Sequence, residues 1–325
     1  MSERKTTRLK RIFQSPETVI MPFGVMPMHA QMAQRAGFEA FEVSGGMSSH
    51  WRGVPDVGLL TLTEVVTQAR EVARAVDIPV YCDADTGYGG GPANVRRTVR
   101  EFFEAGVAGI HIEDQREPKK AGGRSGIEVV SDAEAIGRLN AAVDARDELD
   151  PDFVIVARTD GYGAGGGGLD EAIRRGQLYR EETDVDVIFY EGLHTWDQIR
   201  TALEATPGPA YAIPNNAIGR RPSLDELSAM GQSIDILPFV LPAVHEVWRL
   251  LRAVKTRNSY EPMDDYLEHI KDSEGTEQYQ GWGGGLFARP AYDQIRSWEE
   301  QYLPTEQQRD YVDNANALFD GGPST

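Results

Sequence analysis

The sequence predicts an α/β protein, a (β/α)8 barrel with a helical extension at its C-terminal end. Three observations predict it. Eight short apolar runs alternate with eight helix-like patterns between residues 15 and 256, the order of a parallel sheet wrapped by helices. No phosphate-binding glycine fingerprint follows the first run, where Phe23-Gly24-Val25-Met26-Pro27 stands, so the competing doubly wound sheet lacks its usual mark. Polar clusters also sit at the ends of six successive runs, where such barrels carry their sites. They are Ser44-Gly45-Gly46, Asp83 with Asp85, Glu113, Arg158-Thr159-Asp160, Glu191 and Asn215-Asn216. The barrel is assigned residues 1–256 and the extension residues 257–325.

The strand-like runs are 19–23, 40–43, 79–82, 109–112, 153–157, 187–190, 210–213 and 234–239. They are continuous apolar runs of a few residues, as expected for parallel strands buried on both faces. The helices expected between them are 28–36, 62–75, 93–105, 133–145, 169–181, 195–205, 223–230 and 242–254. Several begin on proper start signals: Pro92 before the third, Ser131-Asp132 before the fourth, and Ser223 followed three residues on by Glu226. Gly37, Gly106 and Gly231 mark helix ends. Beyond residue 256 the alternation stops. Residues 258–280 are polar and acidic, 281–285 are nearly all glycine, and 292–302 read as a short amphipathic helix. Trp282, Phe287, Tyr292 and Trp298 are too many large aromatics for a disordered tail, so this extension is expected to pack on the barrel or on a neighbouring subunit.

Composition narrows the partners. A formal net charge of -18 argues against nucleic acid or an anionic membrane, which are recognised by clustered Lys and Arg. The single cysteine, Cys82, excludes a disulfide framework and suits a reducing interior. It lies in an apolar run and is expected to face the helix layer. The N-terminus does not read as a signal peptide and no run is long enough to span a bilayer, so a cytoplasmic protein is expected.

The chemistry concentrates in Tyr81-Cys82-Asp83-Ala84-Asp85-Thr86-Gly87-Tyr88-Gly89-Gly90-Gly91. Two carboxylates at i and i+2 are expected on one side of a strand. The glycines then let the backbone turn sharply. A second apolar run, 109–112, ends in Glu113-Asp114. Such acids serve as helix caps when single; gathered at neighbouring strand ends, they repel one another unless a cation sits among them. A metal site is the expectation here.

With these residues in view, the chain resembles the isocitrate lyase/phosphoenolpyruvate mutase family. The resemblance rests on Ser44-Gly45-Gly46, Gly53-Val54-Pro55-Asp56, Asp83-Ala84-Asp85-Thr86-Gly87-Tyr88-Gly89, Gly109-Ile110-His111-Ile112-Glu113-Asp114-Gln115, Pro118-Lys119-Lys120 and Ala157-Arg158-Thr159-Asp160. It covers residues 12–256 and implies a Mg²⁺ site made by Asp85 with Asp83, Glu113 and Asp56, directly or through water. It also implies a small 2-oxo or 2-hydroxy carboxylate substrate, held by Ser44, Gly45, Gly46, Arg158, Asn215 and Asn216, and a homo-oligomer, commonly a tetramer. The activity implied is a lyase step that breaks a C–C bond in a 2-hydroxy di- or tricarboxylate. Alternatives are a phosphonopyruvate-type mutase or hydrolase, an oxaloacetate-type decarboxylase, and a non-catalytic dicarboxylate-binding barrel.

One departure stands out. The lyases of this family continue after Pro118-Lys119 with a Lys/Arg-Cys-Gly-His motif whose Cys is the acid. Here Ala121 and Gly123 occupy the Cys and His positions. The proton must then come from elsewhere, and the candidates are Lys119, Glu191 and Tyr88, with Lys120 and His194 behind them. The loop 115–128, basic and glycine-hinged, is expected to act as a lid.

Overall fold

The computed structural model describes residues 3–214, 219–270 and 292–309. Asn215, Asn216, Trp282, Phe287 and the side chain of Tyr292 lie outside the described residues. Two compact units are present, Met1–Phe239 and Val240–Thr325.

The first unit is the expected (β/α)8 barrel. Its order is α1 (Lys5–Phe13), β1 (Val19–Gly24), α2 (Pro27–Arg35), β2 (Phe41–Val43), α3 (Gly45–Trp51), α4 (Leu62–Ala75), β3 (Val80–Asp83), α5 (Pro92–Glu104), β4 (Gly109–Glu113), α6 (Asp132–Leu149), β5 (Val154–Thr159), α7 (Leu169–Glu182), β6 (Val187–Glu191), α8 (Trp196–Glu204), β7 (Ala210–Ile213), α9 (Leu224–Ala229) and β8 (Ile234–Leu237). All seven ladders are parallel, and the sheet runs β7-β6-β5-β4-β3-β2-β1-β8. Among the described residues only an isolated bridge, Ala210 opposite Gln232, links the β7 edge to the segment before β8. That seam is closed by Gln232, whose side-chain amide donates to the Ala212 carbonyl at 2.8 Å and accepts from the Ala212 N–H at 3.0 Å. Its own carbonyl accepts from the Thr18 hydroxyl at 2.7 Å.

Strand alternation sorts the side chains into two cores. One lies between strands and helices and includes Phe41, Val80, Cys82, Ile110, Ile155, Ile188 and Tyr190. Cys82 therefore faces the helix layer, as expected. The other fills the barrel: Met21, Tyr81, Val154, Val156, Phe189, Tyr211 and Ile234 pack with Leu9, Ile12 and Phe13 of α1. Helix α1 was not among the expected helices, yet its apolar residues at i, i+3 and i+4 plug the barrel. The capping boxes at Thr61, Thr195 and Ser223 start α4, α8 and α9.

The second unit contains α10 (Val240–Arg257), α11 (Glu261–Ile270) and α12 (Tyr292–Tyr302). Along α10, Leu241, Val244, Val247, Trp248 and Leu251 are all exposed. Among the described residues no helix is long and apolar enough to cross a membrane.

Candidate active site

The alternation that fills the barrel with Tyr81, His111, Val156 and Phe189 puts Asp83, Glu113, Arg158 and Glu191 one layer higher, at its C-terminal mouth. Each of these four is buried. Asp83 closes β3, and Asp85 does not share its strand. The chain turns there, Asp85 takes a positive φ of 47°, and its N–H donates to Asp83 Oδ1 at 2.8 Å. The two carboxylates converge through this turn rather than through strand periodicity, which corrects the sequence reading. Tyr88, at φ 55°, lines a cavity of about 420 Å³ with Asp85, Leu60, Asn94, Arg97 and Glu117.

Close approach at the mouth depends on glycine in α3. A side chain at Gly45 would put its Cβ 2.3 Å from Asp83 Oδ2, and one at Gly46 would lie 3.2 Å from Asp56 Oδ2. Ser44 caps α3, its Oγ accepting from Met47 N–H at 3.4 Å. The first-turn amides of such a helix have no intrahelical partner, so Ser44, Gly45 and Gly46 stand at the mouth as the sequence expects.

The loop 115–128 lies over the mouth, with Lys119 pointing into it and Gly122 against Glu191. Gln115 holds the loop through paired bonds to the Lys120 N–H and carbonyl, both 2.8 Å. Thr86 donates to Glu117 Oε1 at 2.5 Å, and Glu117 Oε2 accepts from Lys119 N–H at 3.1 Å. The Lys119 ammonium reaches inward, 2.7 Å from Asp56 Oδ1 and 2.6 Å from Asp85 Oδ1, and the side chain is only 2% exposed. Gly122 lies so close to Glu191 that an added Cβ would sit 2.4 Å from its carboxylate. Lys120, by contrast, turns its ammonium back to the Pro118 carbonyl at 3.0 Å. His194 stacks edge-on against Tyr162, at 5.1 Å between ring centres.

Arg158 is committed. It forms a paired contact with Asp160, at 2.9 and 3.0 Å, and lies 3.3 Å from Glu113 and 3.6 Å from Glu191. Burial opposes its charge, but Asp160, Glu113 and Glu191 hold it charged. Lys119 is likewise held charged against burial by Glu113, Asp85, Asp83 and Asp56.

The carboxylates diverge. Burial would raise Asp83, but His111, Lys119 and Arg158 pull it well below the ordinary range. Asp85 is raised to about 6, by burial and the Asp83 charge over the opposing pull of Lys119. Burial pushes Glu113 far up.

Two groups in this chamber escaped the sequence reading. Glu42, two residues before Ser44 on β2, is 6% exposed. Its Oε2 has no hydrogen-bond partner. Burial, then Asp83, raises it to about 8. His111 sits below Glu113 on β4, its Nε2 3.1 Å from Asp83 Oδ1 at an angle short of a hydrogen bond, and its Nδ1 2.9 Å from the Tyr81 hydroxyl. Both obey the same alternation that singled out Asp83 and Glu113, so the signal was present.

The donor chemistry fits a hard divalent cation. Asp85 Oδ1 and both oxygens of Glu113 are buried without hydrogen-bond partners, with Lys119 set against Asp85 Oδ1 and Arg158 against Glu113 Oε2 as ion pairs, and carboxylates gathered in this way repel one another unless positive charge lies among them. Among the described residues no three His, Cys, Asp or Glu side chains are grouped so that they could hold a metal ion between them. Mg²⁺ does not require such a group, since it usually keeps several waters and takes one or two carboxylates directly.

The barrel mouth thus brings buried carboxylates together with a buried Arg and a buried Lys. The chain belongs to the phosphoenolpyruvate phosphomutase family, whose model matches residues 9–243. It is 39% identical over 254 residues to 2,3-dimethylmalate lyase of Eubacterium barkeri, covering 75% of this chain and 85% of that one. It is 36% identical over 269 residues to 2-methylisocitrate lyase of Escherichia coli, covering 80% and 89%. Among solved structures, phosphonopyruvate hydrolase in complex with oxalate and Mg²⁺ superposes with a TM-score of 0.73 at 26% identity, over 93% of this chain and 100% of that one.

Proposed function

We propose that this protein is a Mg²⁺-dependent carbon–carbon lyase acting on a 2-hydroxy di- or tricarboxylate of the malate, isocitrate or methylisocitrate kind. The observation that carries the proposal is the set of buried, hydrogen-bond-free oxygens of Asp85 and Glu113 beside Arg158 under a closed lid. The lyase names of the two relatives support it, as does the Mg²⁺–oxalate complex of the structural neighbour. Asp85 would hold the ion directly, with Asp83, Glu113 and Asp56 acting through water. When bound, the ion supplies positive charge against the oxygens of the substrate's 2-hydroxy carboxylate.

The chain's own residues do the rest. Ser44 and the amides of Gly45 and Gly46 hold the substrate carboxylate, and Arg158 adds charge from the side. Asn215 and Asn216 are assigned to substrate binding from sequence. Glu191 takes the proton from the 2-hydroxyl; the C2–C3 bond breaks, a 2-oxo acid leaves, and the electron pair rests on the remaining carboxylate as an enolate. Lys119, held charged, and Tyr88, whose phenol burial pushes up, are the acids that can return a proton to that carbon. The lid keeps water from it meanwhile.

A second reading, phosphonopyruvate-type or oxaloacetate-type chemistry, is favoured by one observation. The lid segment over Glu191 is Ala121-Gly122-Gly123, without a titratable side chain. We also propose a cytoplasmic homo-oligomer, a tetramer by resemblance, on the support of the exposed apolar stripe of α10.

The test is incubation with Mg²⁺ and a panel of 2-hydroxy tricarboxylates, malates, oxaloacetate and phosphonopyruvate, with 2-oxo acid release as the readout. Asp85→Ala is expected to lose both turnover and Mg²⁺ affinity while its circular dichroism stays unchanged. Full Mg²⁺-dependent turnover in that variant would remove Asp85 from the metal site.

A further inference from the structure

Lys119 comes from the lid, yet its ammonium lies at the deepest anionic point of the mouth. It touches Asp56 Oδ1 at 2.7 Å and Asp85 Oδ1 at 2.6 Å, with 2% of its side chain exposed. The contact with Asp85 is at ion-pair distance, and the Lys119 charge pulls against the burial of that carboxylate. An ammonium there neutralises the same carboxylate oxygens that a divalent ion would seek. We propose that Lys119 is the resident cation of the metal site, and that a divalent ion binds only by drawing Asp85 away from it. This rests on the metal reading above and adds to it a competition between two cations for one carboxylate.

Two positive groups on one buried carboxylate repel with no water between them to screen the repulsion. Lys119 has a second anchor in Asp56, so it can yield Asp85 without being left unpaired. The displacement would not stay local. The Lys119 N–H is tied to Glu117, and Glu117 to Thr86, the residue after Asp85. Moving the ammonium therefore pulls on the lid. Ion binding would loosen the lid, and a substrate anion arriving next would meet a lysine released from Asp85 and close the lid again. Metal before substrate is the order this arrangement imposes.

Two measurements test it. In calorimetric Mg²⁺ titrations without substrate, Lys119→Met is expected to bind more tightly than wild type by about tenfold or more, within the range of ordinary coupling between two ligands. Lys119→Arg, which keeps the charge, is expected to bind as wild type does. The second measurement leaves Lys119 in place. A spin label on Arg124→Cys, on the exposed lid, is expected to gain mobility when Mg²⁺ alone is added; Cys82 is buried and stays unlabelled. Equal or weaker Mg²⁺ binding by Lys119→Met, or Mg²⁺ binding with a motionless label, overturns the competition while leaving the metal reading intact. If neither wild type nor Lys119→Met binds Mg²⁺, the metal reading falls and the competition with it.

Discussion

Glu42 shows what a single buried carboxyl does to the molecule. Its value in the folded chain is raised to about 8 from an ordinary 4.5, through burial and the nearby Asp83 charge. Between those values the unfolded chain has lost the proton and the folded chain keeps it. The stability tied to that proton is therefore fully present below about 4.5 and declines as pH rises toward 8. Gln at this position stays neutral at every pH. In metal-free buffer, Glu42→Gln is expected to gain stability over wild type across pH 4.5–8, reaching a few kcal/mol at most. Urea melts at several pH values check it, and a difference independent of pH would show that Glu42 is ionised in the fold. Ala121 and Gly123 invite the opposite experiment, restoring Cys and His. Gly123 has a φ of 71°, so His there is strained by about 1 kcal/mol or more. Ala121→Cys alone is expected to leave stability unchanged, and the double variant to melt lower. Methylisocitrate cleavage gained by the single variant would mark a lyase mouth short of its acid.

At the scale of elements, the turn after β3 and the lid carry the site, and they were the least legible parts. The strands were readable because continuous apolar runs have one explanation in a parallel sheet. Helix α4 was read at its observed bounds, Leu62 to Ala75, and the structure adds the Thr61 cap. Helix α3, Gly-Gly-Met-Ser-Ser-His-Trp, has no apolar period to read, and only the Ser44 cap and its position after β2 make it helical. The site residues were legible by type and by strand end, whereas their partners were not. Nothing in the sequence says that Arg158 is paired with Asp160, or that Lys119 lies between Asp56 and Asp85. Those facts depend on where a loop lands. The lid's hold on the barrel passes through Thr86 and Glu117, and it can be tested there. Glu117→Ala is expected to speed tryptic cleavage at Arg116, Lys120 and Arg124 several-fold without lowering the melting temperature by more than a few degrees, because a single polar contact contributes about 1 kcal/mol. Cleavage at the wild-type rate would mean that Lys119 and Gln115 hold the loop without Glu117.

Across the whole molecule, the second unit is explained least by its own sequence. Helix α10 exposes Leu241, Val244, Val247, Trp248 and Leu251, whose spacing forms a stripe along one side. A contiguous exposed apolar stripe of this kind marks an interaction surface. Trp248→Glu is expected to shift sedimentation toward smaller species if that stripe joins copies of the chain, and an unchanged sedimentation coefficient would exclude it from the contact. The seam at Gln232 bears on a different matter, the history of each barrel as it is made. β1 pairs with β8 from Val19 opposite Ile234, so its outer edge stays open until about 215 further residues have left the ribosome. At 5–20 residues per second that is roughly 10–40 s. During that time the strand most exposed to a wrong partner is the first one synthesised. The link from Gln232 to Ala212 and Thr18 cannot form before Gln232 itself has been made, more than two hundred residues after Thr18.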